Sequence, residues 1–89
     1  MSEAQSVRKA VRDFILENYL FTDDQSELGD DASFLQEGII DSTGILEVIA
    51  FIEDEYGINV EDAELIPENL DSVDNLTAFI VGKTGSQKD

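Results

Sequence analysis

G38-I-I-D-S-T-G-I-L-E-V-I-A-F-I-E-D-E-Y-G57 is the stretch on which the fold turns. Ile45, Val48, Ile49, Ile52 and Tyr56 fall on one face at 100° per residue, the spacing of a helix with one buried side. Thr43, Glu47, Ala50 and Asp54 cluster opposite, with Leu46 and Phe51 on the flanks. Asp41 is a good N-cap, because its carboxylate can accept from the N2 or N3 amide. With Asp41 there, Ile40 and Ile45 take the positions of a hydrophobic staple, and Gly57 can supply the left-handed residue that ends the helix. The stretch predicts a helix from Asp41 or Ser42 to Tyr56. Ser42 then has two readings. It is an ordinary first-turn residue, or it is an attachment point at a helix end whose amides and dipole favour a phosphoryl group.

Working outward, the N-terminal side carries Val7, Ala10, Val11, Phe14 and Ile15 on one helical face, predicting a first helix over about Ser2–Tyr19. Ser2 and Gln5 fit a capping box. Leu16 lies opposite that stripe and has no place in the pattern. The long connection from Leu20 to Ile40 has no clean period, yet includes Leu20, Phe21, Leu28, Phe34, Leu35, Ile39 and Ile40. A connection this long in a compact domain is uncommon and often functional, and it is expected to wrap the domain with its apolar residues tucked under. On the C-terminal side, a short helix is expected over about Glu61–Leu65, stopped before Pro67. A last helix is expected from Asp71 or Ser72 to about Val81, with Val73, Leu76, Thr77 and Ile80 inward. Residues 1–82 read as one domain and 83–89 as a disordered tail. No segment alternates as a strand, so the expected fold is all-α: three main helices plus one short one, with a long first loop.

The chain has 89 residues, of which 42% are hydrophobic, which suits one small globular domain. It has neither cysteine nor histidine. Disulfides, thiolate metal sites, cysteine nucleophiles and a Ser-His-Asp triad are therefore excluded. Five Lys and Arg against 21 Asp and Glu give a net charge of −16. From Asp13 to Gly82 there is no positive side chain, and that span holds 19 of the 21 acids. Nucleic acid and anionic membranes are excluded as partners, since both need Lys and Arg. A protein with a basic patch is the natural complement. The polar N-terminus lacks a signal-peptide core and no apolar run could span a bilayer, so a cytoplasmic monomer is expected.

The acids admit two chemistries, a metal site and paired-carboxylate catalysis. Residues 23–31, D-D-Q-S-E-L-G-D-D, gather carboxylates, but as an EF-hand loop starting at Asp24 they put Leu28 at position five and Leu35 at twelve, where a bidentate Glu is needed. A solvated acidic loop is the better reading, with no metal site. Paired-carboxylate catalysis needs a pocket that separates two pKa values. A domain of this size has little room for one, so the chain is read as non-catalytic.

Residues 34–80 resemble the acyl carrier protein family, which includes aminoacyl and peptidyl carriers. The matching elements are G-x-x-D-S, the apolar and acidic second helix, the G-I-x-V turn, and D-S-V-x-x-L opening the last helix. With the first helix the resemblance covers about residues 3–82. It implies a four-helix carrier bundle in which a phosphopantetheinyl transferase moves 4′-phosphopantetheine from coenzyme A onto Ser42 in a Mg²⁺-dependent step. The arm ends in a thiol that holds acyl or aminoacyl cargo as a thioester, so a chain without cysteine borrows its thiol. The resemblance also implies loading ligases or synthases whose basic patches read the second helix. Glu47, Glu53 and Asp54 match its acidic recognition positions, Leu46 and Ala50 the apolar contacts between them, and Asp41 the acid that helps the transferase dock. Two positions depart from the family pattern: Thr43 stands where Leu is usual, and Gly44 where Asp is frequent. Both lie at the transferase-facing end of the helix. The G-I-N-V and P-E-N-L-D-S-V-D-N-L-T segments look more like specialised stand-alone or aminoacyl and peptidyl carriers. The rival reading is an unmodified acidic helical domain that docks on a basic partner.

Overall fold

The computed structural model describes residues 3–85. Its elements are α1 (Glu3–Ile15), a π-helical turn (Leu16–Leu20), a 3₁₀ turn (Gln25–Glu27), α2 (Ser42–Tyr56), a second 3₁₀ turn (Asp62–Glu64), α3 (Pro67–Leu70) and α4 (Val73–Gly85). Among the described residues there is no strand, so the all-α four-helix reading holds. α4 packs on α1, α3 and α2. The stripes read from the sequence meet in one core. Val7, Val11 and Ile15 of α1, Val48, Ile49 and Ile52 of α2, and Val73, Leu76 and Ile80 of α4 are all buried.

α2 forms where its pattern places it. The Asp41 carboxylate accepts from the Gly44 amide at 2.7 Å, and Gly57, with φ of 64°, ends the helix in the left-handed conformation. That conformation is open to glycine because it has no Cβ to clash.

Three boundaries differ from expectation. The first helix does not run evenly to Tyr19. After Ile15 it widens into a π-helical turn, which closes when Phe21 adopts φ of 55°. Leu16, the residue without a place on the stripe, is buried. The loop supplies Leu28 and Phe34 to the same core, so that end of α1 is covered on more than one side. Ser2 of the expected capping box lies outside the described residues. The short helix is also displaced. Residues 62–64 make only a 3₁₀ turn, and the α-helical piece begins at Pro67. Proline ends what precedes it, yet it is well suited to the first helical position, where its missing N–H is not needed. Finally, α4 continues to Gly85. Lys83, assigned to a tail, instead pairs with Glu64 at 2.7 Å and donates to the Asn59 carbonyl at 2.8 Å. Residues 86–89 lie outside the described residues.

The long loop is tied down by side chains. Arg12 donates to the Leu28 carbonyl at 2.8 Å and to the Gln25 carbonyl at 2.5 Å, and pairs with Asp30 at 2.5 Å. Arg8 pairs with Asp30 and Asp74. The Asp30 carbonyl accepts from the Asp74 amide at 2.9 Å, at the start of α4. Farther along, Asp71 binds the loop from its other side. Its carboxylate accepts from Ser33 Oγ and from the Leu35 amide, and its carbonyl accepts from the Phe34 amide at 2.8 Å. A chain segment with almost no regular structure is thereby fixed between two helices, and it delivers Ile40, Asp41 and Ser42 to a set place.

Candidate functional site

Ser42 is the first residue of α2, and its side chain is exposed. Asp41 caps the helix beside it, satisfying one of the first-turn amides that lack an intrahelical partner. Ser42 stands at the edge of a largely apolar groove of about 230 Å³ lined by Leu35, Leu46, Ile49, Leu65, Ile66 and Leu70, with Asp71 among its few polar neighbours. The groove runs between α2 and the segment that leads into α3. Leu35, Leu46, Leu65 and Ile66 are exposed large apolar residues, which water alone does not favour.

On the opposite flank of α2, the end of the first helix leans against the turn that carries Ser42. Tyr19 donates its hydroxyl to Glu47 Oε1 at 2.5 Å and lies 3.2 Å from the Gly44 carbonyl. Burial, then the hydrogen bond to Glu47, pushes the Tyr19 phenol up to about 12. Phe14 stacks on Phe51 with ring centroids 4.2 Å apart. Gly44 is enclosed by these contacts. A Cβ there would meet Ile40 Cγ2 at 2.8 Å and the Tyr19 ring at 3.3 Å. The glycine that departs from the resemblance is therefore fitted to its neighbours: there is no space for an aspartate side chain.

The expected recognition residues divide into two kinds. Thr43, Leu46, Ala50 and Asp54 are exposed along the outer face of α2. Glu47 is exposed but accepts from Tyr19. Glu53 is half-buried, and its Oε2 accepts from the Val60 amide at 2.9 Å. It fastens the turn after α2 to the helix, in addition to any role toward a partner. The acidic stretch 23–31 is also put to internal use. Asp24 caps the 3₁₀ turn by accepting from Ser26, which lowers its carboxyl below the usual range, and Asp30 lies between two arginines. Among the described residues no three metal-ligating side chains gather, and no helix is long and apolar enough to cross a membrane.

Sequence reading missed Tyr19, Asp71 and the far wall of the groove. Tyr19 falls at the end of a helix whose period changes there. Asp71 is expected only as one of two starts of the last helix, Asp71 or Ser72, and it is Ser72 that caps α4, accepting from the Asn75 amide at 3.0 Å. Leu65 and Ile66 precede a proline in an irregular turn, where no periodicity marks a face.

The arrangement is that of a helical bundle presenting one serine at a capped helix start beside an apolar groove. Residues 15–80, most of the chain, match the family model described as the phosphopantetheine attachment site. The chain belongs to that family. Among solved structures it is similar to one described as "Structure of KstB-PCP(apo)", a peptidyl carrier protein, with a TM-score of 0.72 and 36% identity over 91% of this chain and 88% of that chain. No curated protein matches the chain. The protein is a carrier that holds groups on a covalently attached 4′-phosphopantetheine arm. Carrier domains of this kind are non-catalytic and work with transferases and synthetases. The rival reading of an unmodified docking domain is not favoured.

Proposed function

We propose that Ser42 is the attachment residue and that the protein shuttles aminoacyl or acyl groups between cytoplasmic enzymes as a monomer without activity of its own. The observation that carries this reading is an exposed serine at the first position of a capped helix, at the edge of an apolar groove. The residues present fit the arm. Ser42 offers an accessible hydroxyl. The α2 N-terminus favours the phosphodiester charge that attachment creates. The groove suits the apolar part of an arm or its cargo. When bound, the group supplies a terminal thiol, which this chain lacks, to hold cargo as a thioester.

In loading, Ser42 Oγ loses its proton to the transferase site and forms a bond to the phosphorus of the pantetheinyl phosphate of coenzyme A. The departing 3′,5′-ADP keeps the electron pair of the broken P–O bond. Asp41 holds the helix start and adds negative charge for a basic transferase to read. Thr43, Leu46, Ala50 and Asp54 form the outer face that loading ligases or synthases with basic patches meet, and Glu47 and Glu53 border it. Likeness to a peptidyl carrier favours aminoacyl or peptidyl cargo over fatty acyl cargo.

The test is intact mass after incubation with coenzyme A, Mg²⁺ and a broad-specificity phosphopantetheinyl transferase, with Ser42→Ala in parallel. One phosphopantetheinyl addition on the wild type and none on the variant is expected. Loading that persists in Ser42→Ala would move the attachment to another hydroxyl and sink the assignment.

A further inference from the structure

Phe21 is the most exposed large apolar residue described, at 82% of its full surface. It is also the only non-glycine residue among those described with positive φ, at 55°. Both features are unfavourable in an isolated protein. An exposed phenyl ring gains nothing from the hydrophobic effect, and a bulky side chain in the left-handed region is strained. Strain of this kind persists where the surrounding structure imposes it, and it clusters at functional positions.

The surroundings do impose it. The π-helical turn ends at Leu20, and the Phe21 and Thr22 amides both donate back to the Leu16 carbonyl. π-helical turns are rare and frequently sit at functional sites. The turn is held in place by Tyr19, two residues earlier, which is bonded to Glu47 and to the Gly44 carbonyl in the first turns of α2. Two residues of chain span at most about 7 Å, so the Phe21 backbone lies within that reach of the Tyr19 backbone, whose side chain touches the first turns of α2. Tyr19, to which Phe21 is tethered, meets the Gly44 and Glu47 flank of α2, whereas Leu46 and the apolar groove occupy the other flank. Stable interfaces cover about 800 Å² per partner, a patch roughly 30 Å across. An enzyme that closes on the Ser42 hydroxyl therefore covers both flanks of the helix start.

We propose that Phe21 is a second docking anchor, which inserts into an apolar pocket of the phosphopantetheinyl transferase that loads Ser42. This rests on the assignment of Ser42 given above. Charge fixes the character of that pocket. Glu17, Asp23 and Asp24 are exposed on either side of Phe21 in sequence, Glu47 lies at Tyr19, and no cation occurs between Asp13 and Gly82. The complementary surface is an apolar pocket rimmed by Lys or Arg. Single aromatic anchors surrounded by polar contacts are the usual source of binding energy at interfaces.

The experiment measures kcat/KM for arm transfer to the full chain, with coenzyme A, Mg²⁺ and a broad-specificity transferase, alongside thermal melting. The variants are Phe21→Gly, Phe21→Ala and Phe21→Leu. Phe21→Gly relieves the left-handed backbone and is expected to raise the melting temperature, yet to lower kcat/KM about tenfold, mostly through KM. Phe21→Ala is expected to match that loss, and Phe21→Leu to keep most of the wild-type rate. A purely structural role cannot produce a variant that melts higher and loads worse. Loading of Phe21→Gly and Phe21→Ala within twofold of wild type would overturn the anchor and leave Ser42 intact as the attachment site. Absence of any loading of the wild type would remove both.

Discussion

Two faces of this small bundle handle the same excess of acid in opposite ways. At the α1–loop–α4 face, Arg8 and Arg12 hold Asp30 and Asp74, Lys9 pairs with Asp13 at 2.7 Å, and backbone carbonyls of the loop are bound as well. Along the outer face of α2, Thr43, Leu46, Ala50 and Asp54 are exposed, and that helix contains no Lys or Arg. Three of the five cations in the chain are spent on internal structure at one face, and the other is the face proposed to meet a partner. The lesson concerns placement. A carrier whose proposed attachment residue follows a long irregular loop needs that loop fixed, and side-chain ties at one face fix it without covering the other.

The sharpest way to break this contrast is to cut the ties. Arg12 is the central one, its side chain only 14% exposed. Arg12→Met keeps much of the stem but leaves the Leu28 and Gln25 carbonyls without the arginine donor and Asp30 with Arg8 alone. Losing charged hydrogen bonds of this kind costs about 2 kcal/mol, and thermal melting should show a drop of several degrees. Loss of protection in the loop 21–41, followed by amide exchange, should accompany it. Asp54→Asn on the other face should melt within a degree or so of wild type. Equal losses in the two variants would show that the faces do not differ as argued.

A smaller effect is expected where the two faces meet, at Tyr19. Tyr19→Phe removes the bonds to Glu47 and Gly44 and should cost about 1 kcal/mol. The pH dependence has a definite sign. Burial and Glu47 hold the folded phenol at about 12, above the ordinary value of 10.0. The unfolded chain therefore ionises first, and the Tyr19 contribution, present in full below pH 10, is lost as pH rises toward 12. Phenolate absorbance followed with pH should show no tyrosine titrating at its ordinary value, because burial also raises Tyr56. A tyrosine that ionises normally in the wild type and is missing in Tyr19→Phe would contradict the bond.

The smallest expected effect is general. With a net charge of −16, added NaCl should raise the melting temperature by a few degrees by screening repulsion among unpaired acids. The rise should exceed the loss from weakened ion pairs at the arginine face. A flat response would place the unpaired acids too far apart to matter.

What was legible in the sequence is what a local rule can carry. α2 was readable to within a residue, because the Asp41 cap, the 3.6-residue period and Gly57 are all encoded within 17 consecutive positions. The inner face of α4 was legible from its own period, Val73, Leu76, Thr77 and Ile80, whereas the local pattern left Ser42 with two readings and only the family resemblance favoured attachment. The charge asymmetry and the absence of histidine and cysteine by themselves remove whole classes of chemistry. What only the tertiary structure decided are contacts between residues distant in the chain. Asp71 holds Ser33 and Leu35 across more than thirty residues. Tyr19 reaches Glu47 across 28 positions, and its ring helps to make Gly44 the residue that fits. The groove beside Ser42 draws its walls from the loop, α2 and the approach to α3. None of these leaves a periodic trace, because hydrogen bonds between irregular segments depend on where the chain has already been folded. The sequence determined that a serine would start an amphipathic, acid-bearing helix. Folding decided which acids stay exposed to a partner, because the few cations reach only those that the bundle brings to their side.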